Sequence, residues 1–174
     1  VGRLRPTAFR EFWEFTVEKV AVNAVMAGAR PEYFPVILAM AASGISARSS
    51  STNSFATITV INGPVRNELA MNSGIGVMGP YNHANATIGR AYGLLSQNLQ
   101  GGSVPDDTYM GSLGNWYAYT AVLPEAEERS PWLPLHVQKG YKPTDSVASI
   151  FFGGWYTHAG YGPRATWREK MRHA

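Results

Sequence analysis

Cysteine is absent from the 174-residue chain, which excludes disulfides, thiolate metal sites and cysteine nucleophiles within it. Charge is scarce: 16% of residues are charged against 45% hydrophobic, a balance that suits one globular domain with a core and excludes a disordered chain. The excess of one sign is also small, 15 basic against 12 acidic residues. Several of the basic residues lie near the ends (Arg3, Arg5, Arg10, Arg164, Arg168, Lys170, Arg172), and such a mild bias lacks the clustered stripe of a nucleic-acid binder. No apolar run approaches the roughly 20 residues that span a bilayer, and no charged leader followed by an apolar core opens the chain. A soluble protein, cytoplasmic by default and without membrane or nucleic-acid partners, is expected. There is no repeat at solenoid spacing. The chain starts at Val1, so a segment or a processed product of a longer protein is among the expectations, with flexible ends at 1–9 and 160–174.

What is present reads as a mixture of helices and strands. Apolar spacing from Arg10 to Ala27 predicts a helix with Gly28 at its C-terminal cap, and Arg30 to Ser43 predicts a second helix that starts near Tyr33, because Pro35 is tolerated only in a first turn. The two form a helical hairpin. A Ser-rich linker, 46–54, leads to a β-branched strand at Phe55 to Ile61, ended by Gly63 and Pro64. A helical pattern resumes near Ala84, runs to Leu99 and stops at the Gly101 to Pro105 stretch. Further strands are predicted at Trp116 to Leu123 and Ser146 to Phe152, separated by a proline-rich irregular segment that carries Glu125, Glu127, Glu128, Trp132 and His136. Without strict alternation, the fold class is α/β or α+β: one domain, an N-terminal helical hairpin on a small mixed sheet, with a further helix.

The chemistry concentrates in the connection from Ile61 to Arg90. Asn62, Asn67, Asn72, Ser73, Asn82, His83, Asn85 and Thr87 stand there with Gly63, Gly74, Gly76 and Gly79, and uncharged donors beside exposed backbone N–H groups hold carboxylates, phosphates or oxyanions. Asn82 or His83 precedes a helix whose free N–H groups favour an anion. The same asparagines equally suit turn and helix caps. Gly74, Gly76 and Gly79 spell G-x-G-x-x-G, but no coupled strand and helix or following acidic residue completes a dinucleotide fingerprint, and no Gly-Lys-Ser/Thr makes a P-loop. Asn85 to Thr87 also spells a glycosylation sequon, discounted at a helix start. On the first helix Lys19 and Asn23 share a face at i, i+4, near Glu18. Arg30, Glu32 and Tyr33 offer a guanidinium fork at the hairpin turn. His136 lies between Leu135 and Val137, either as a packed histidine or as an acid–base group. No two histidines have metal-ligand spacing, so a metal site would need assembly from distant loops and none is expected; the sequence does not identify a cofactor.

The runs FTVEKVAVNAVMAGARPEYFPVILA, VINGPVRNEL, NSGIGVMGPYNHANATIGRA and SPWLPLHVQKGY, spanning most of Phe15 to Ile150, resemble a bacterial family whose genes accompany proteins with a UGSC motif (selenocysteine or cysteine, Gly, Ser, Cys). The resemblance implies a partner chain with a redox-capable or nucleophilic selenol or thiol. Where relatives carry Cys in the hairpin turn this chain has Ala29, and it departs again at Ile75 to Met78 and at Tyr81. Positions that match are Glu18, Lys19, Asn23, Arg30, Glu32, Tyr33, Asn62, Asn72, Ser73, Asn85, Thr87 and His136.

Two readings follow. In the first the chain is an enzyme or an enzyme subunit, an oxidoreductase or lyase, with a polar Asn/Gly/Arg pocket for a small anionic or carbonyl-bearing substrate. Lys19, Glu32 or His136 moves a proton; Asn23, Ala29, Arg30, Tyr33, Asn62, Asn72, Ser73, Asn85 and Thr87 bind. In the second it is a non-catalytic subunit of a hetero-oligomer, with Trp116, Trp132, Trp155 and Trp167 as interface anchors.

Overall fold

The computed structural model describes residues 2–4, 13–47, 57–99 and 121–151, with 2–4 and 13 described by backbone alone. Strand β1 (Gly2–Leu4) pairs antiparallel with β2 (Trp13–Phe15). Helix α1 therefore begins at Val17 and runs to Met26, later than the apolar spacing from Arg10 predicts. The physical reason lies at Thr16: its backbone is extended, and its hydroxyl accepts from Lys19 N at 3.2 Å, closing the free N-terminal turn. At the other end Gly28 takes φ +79°, the left-handed cap that glycine adopts without strain.

Pro31 holds Arg30 extended (φ −77°, ψ 154°), a 3₁₀ turn covers Pro31–Tyr33, and α2 runs over Phe34–Ala42 with Pro35 in its first turn. Strand β3 (Ile58–Asn62), the short α3 (Val65–Glu68), α4 (His83–Leu99), β4 (Ala121–Pro124), the single-turn α5 (Leu135–Gln138) and β5 (Val147–Phe151) complete the order. The stretches predicted at 48–54, 101–105, 116–120 and 160–174, and most of 1–9, lie outside the described residues.

Among the described residues the main sheet has three strands in the order β4-β3-β5. Strand β4 runs parallel to β3 (Ile58↔Ala121 to Ile61↔Pro124) and β5 antiparallel (Ile58↔Phe151 to Asn62↔Val147). This is an α+β domain whose N-terminal helical hairpin accompanies a small mixed sheet. Helix α4 is the spine of the core. It buries Ala84, Ile88, Gly89, Ala91, Tyr92, Gly93 and Leu95 and packs against α1 and β4. Val20, Ile37, Met40, Ile61 and Val122 close the core around it. Burial pushes the Tyr92 hydroxyl far above its usual value, so it stays protonated and donates to the Ile45 carbonyl. None of the helices among the described residues is long and apolar enough to cross a membrane.

Two glycines with similar backbones make a matched test. A Cβ on Gly28 meets nothing within 4 Å, whereas one on Gly63 (φ +84°) falls 2.0 Å from the Asp145 carbonyl oxygen. By chemical denaturation, Gly28→Ala is expected to cost about 1–2 kcal/mol for the left-handed backbone alone. Gly63→Ala adds an overpacking cost of about 1–3 kcal/mol as β5's lead-in is pushed away. Equal losses at the two positions contradict the close approach at Gly63.

Candidate functional site

The carboxyl ends of the parallel strands β3 and β4 carry a polar cluster that is buried around Asn62, Arg66 and His136 and exposed at Glu128. Gly63 turns the chain sharply out of β3, and α3 starts at once, so Arg66 folds back beneath its own strand. Its Nε donates to the Gly63 carbonyl at 3.1 Å and its Nη1 to the Glu125 carbonyl at 2.6 Å. Nη2 pairs with Glu127 Oε2 at 3.0 Å and Glu128 Oε1 at 2.8 Å. Only 5% of the Arg66 side chain is exposed, so its charge has to be balanced inside the protein.

Asn62, fully buried, sits between two carboxylates. Its Nδ2 donates to Glu125 Oε2 at 2.6 Å and to Glu127 Oε1 at 2.9 Å. Glu127 Oε1 also accepts from Gly63 N at 2.8 Å, and Glu125 Oε2 from Leu135 N at 2.9 Å. The second of these contacts anchors α5, which brings in His136. That imidazole is wholly buried, with Nδ1 3.9 Å from Glu127 Oε1, beyond hydrogen-bond reach but well within electrostatic range.

Neither ring nitrogen of His136 has a hydrogen-bond partner, and neither does Asn62 Oδ1. Among the described residues two other buried groups share that condition, the hydroxyls of Thr57, just before β3, and Thr59, within it. Among the described residues, Glu125, Glu127 and Glu128 gather around Arg66, and Arg129 is near enough to act on Glu128 as well. Glu128, paired with Arg66 through its hydrogen bond, is held below the usual carboxylate range, but at 64% side-chain exposure it is well screened by water. Among the described residues no group of three or more His, Cys, Asp or Glu could hold a metal ion.

The asparagines of the long connection have a different job. Asn82 caps α4, its Oδ1 accepting from Asn85 N at 3.0 Å while its Nδ2 donates to the Ala70 carbonyl at 3.0 Å. Asn85 Oδ1 accepts from Asn72 N at 3.2 Å and Asn85 Nδ2 donates to Asn72 O at 2.9 Å. Asn72 in turn accepts from Gly74 N at 2.9 Å and donates to Ile75 O at 3.0 Å. The amides are thus engaged with backbone, folding the loop onto the helix. Ser73 is half-buried within that loop, and the Thr87 hydroxyl donates to the His83 carbonyl at 2.7 Å.

The hairpin turn meets the start of α4 through Tyr33, whose hydroxyl lies 3.4 Å from His83 Nδ1 with the rings 5.7 Å apart. Ala29 is half-buried against the core, while Arg30, Glu32 and Lys19 are exposed. Asn23 is buried, donates to the Lys19 carbonyl at 2.8 Å and accepts from Asn98 at 2.6 Å. Asn98 lies in the last turn of α4 and Asn85 in its first, about 20 Å apart at about 1.5 Å per residue. Lys19 and Asn23 therefore belong to one end of the domain and Asn72 and Asn85 to the other. Of the residues singled out from sequence, Asn62 and His136 are brought together, around Arg66, Glu125, Glu127 and Glu128. The signal for those four was present as an arginine just past Gly63 and Pro64, and an acidic run just past the β4 strand.

Neither protein-family models, curated proteins nor solved structures include a match to this chain.

Arg66→Ala is expected to cost about 3–5 kcal/mol by chemical denaturation, because it strands Glu127 without its cation. Glu128→Gln is expected to cost under about 1 kcal/mol. Because the Glu128 carboxyl is held low in the folded state, its contribution is complete above the ordinary carboxylate range and lost as pH falls through the folded value. Parent and Glu128→Gln stabilities therefore converge in acid, and a gap that widens toward low pH contradicts the pairing.

Proposed function

We propose that this chain is an enzyme, or the substrate-holding subunit of one, that exchanges a proton with a small carbonyl-bearing or anionic molecule at His136. The observation that carries the reading is the wholly buried imidazole with both nitrogens unpartnered, next to a carboxylate. Leaving two ring nitrogens buried and unpartnered costs stability. A buried polar group without a partner calls for an explanation, and a role in catalysis is one. Glu127 is held by Asn62, Gly63 and Arg66, so the carboxylate facing the imidazole is fixed in place. Asn62 Oδ1 supplies an acceptor for the substrate. The ends of parallel strands are also where open α/β sheets bind ligands. In this reading substrate enters as α5 shifts, breaking the bond from Leu135 N to the Glu125 carboxylate just past β4. Lys19 and Glu32, exposed on α1 and in the hairpin turn, remain second candidates for proton transfer.

The resemblance to the family that accompanies UGSC proteins adds a partner chain supplying a thiol or selenol, and with it oxidoreductase or lyase chemistry in the cytoplasm. Exposed apolar side chains favour a partner independently: Val22, Val25 and Met26 are 51%, 75% and 59% exposed at i, i+3 and i+4 of α1, and Trp132 is 76% exposed. The same surface suits a purely structural subunit.

The proton exchange is measurable without the natural substrate. In D₂O, a panel of short 2-oxo acids is expected to gain deuterium beside the carbonyl faster with the protein than in buffer, followed by proton NMR. His136→Gln, folded by circular dichroism, is expected to slow that exchange by about 100-fold or more. Exchange no faster than buffer across the panel, or undiminished in the variant, sinks the reading.

A further inference from the structure

Helix α1 is apolar on two faces. Val20, Ala24 and Ala27 turn inward together with Asn23, and at about 3.6 residues per turn Val22, Val25 and Met26 fall on the opposite side, headed by Glu18. All three are more than half exposed. Their spacing of i, i+3 and i+4 makes one stripe, on the side where a solvated helix carries polar residues. The core does not use these side chains. Helix propensity does not account for them either, because β-branched valine is a weaker helix former than the lysine or glutamate that such a face admits.

Four charged side chains bracket the stripe. Glu18 and Lys19 stand at its head, in the first turn of α1, and Arg30 and Glu32 at its foot, in the hairpin turn. All four are exposed, and among the described residues none of their side chains is engaged in an ion pair or a hydrogen bond. The order of sign reverses from one end to the other, acid then base at the head and base then acid at the foot. Glu18 and Arg30 lie equally far from Ala24 in sequence, as do Val22 and Met26. The pattern is therefore complementary to itself when turned end for end.

We propose that this stripe packs against the same stripe of a second copy of the chain, α1 on α1, antiparallel about a two-fold axis near Ala24. Turning one copy end for end sets Val22 against Met26 of the other and brings Glu18 and Lys19 beside the other copy's Arg30 and Glu32. Each contact occurs twice, as a closed two-fold interface requires. The opposed helix dipoles favour the same arrangement. Parallel packing sets Glu18 against Glu18 and Arg30 against Arg30, which like charges oppose. A different partner has to match this order of charges by its own sequence, whereas a second copy carries it already. At about 1.5 Å per residue α1 is about 15 Å long, so the contact is smaller than a standard interface and the dimer is a weak one. The pairing does not depend on proton exchange at His136.

The test is sedimentation equilibrium of the full chain from about 1 μM to about 1 mM, the range in which a small contact associates. A reversible monomer–dimer equilibrium is expected. Val25→Glu and Met26→Lys, each at an exposed position and folded by circular dichroism, are expected to stay monomeric throughout. Glu18→Arg or Arg30→Glu alone is expected to weaken the dimer by at least about 10-fold, by placing like charges together. An equimolar mixture of those two variants is expected to regain the parent affinity, because in the mixed pair both contacts again join opposite charges. A chain that is monomeric at every concentration, a dimer unchanged by Val25→Glu, or a mixture no tighter than its components overturns the proposal. If either charge variant does not fold, the parent chain, Val25→Glu and Met26→Lys decide it.

Discussion

The guanidinium of Arg66 is the tie on which the carboxyl edge of the sheet depends. It reaches the backbone that leaves β3, the backbone that leaves β4 and two carboxylates of the turn beyond. Apolar packing does not do this work here, because the residues that meet are Asn62, Gly63, Glu125 and Glu127. A buried ion pair is a poor source of net stability compared with apolar residues of the same volume, yet removing one partner is severe. Its value is directional: the fork admits one arrangement of the two strand ends, and so one position for the carboxylate that faces His136.

Hydrophobic stabilisation is concentrated elsewhere, along α4. That helix presents Ile88, Tyr92 and Leu95 to the core at helical spacing, with Gly89, Ala91 and Gly93 between them. Its two ends are secured differently. At the start, asparagine amides fold a long loop against it, and at the end Asn98 reaches across to Asn23 on α1. The domain thus separates an apolar spine from a polar sheet edge.

Much of the scaffold was legible in the sequence. Gly28 and Pro31 mark the hairpin turn, Gly63 and Pro64 mark the end of β3, and α4 occupies almost the whole predicted span. These are local signals, carried by residues with restricted or unusual backbone preferences. Strand β2 was not legible, because Phe12 and Phe15 fit a helical spacing and only pairing with β1 makes the segment extended. The site was legible in part. Asn62 and His136 stand out by type, but the partners that give them meaning lie 63 and 65 residues from Asn62 in sequence, a distance no spacing rule covers. The asparagines of the loop show the converse: composition announces amides without revealing whether they face a ligand or, as with Asn72 and Asn85, each other's backbone.

The position of β3 in the middle of its sheet has a consequence for synthesis. Its two neighbours both come later in the chain, Ile58 meeting Ala121 on one side and Phe151 on the other. A nascent chain emerging from the ribosome carries β3 with both edges bare until β4 and then β5 follow it out. The α1–α2 hairpin, made from neighbouring segments, has no such wait. Long-range pairing of this kind is slow to form and leaves strand edges open in the meantime, so early protection of β3 falls to the helices or to a chaperone.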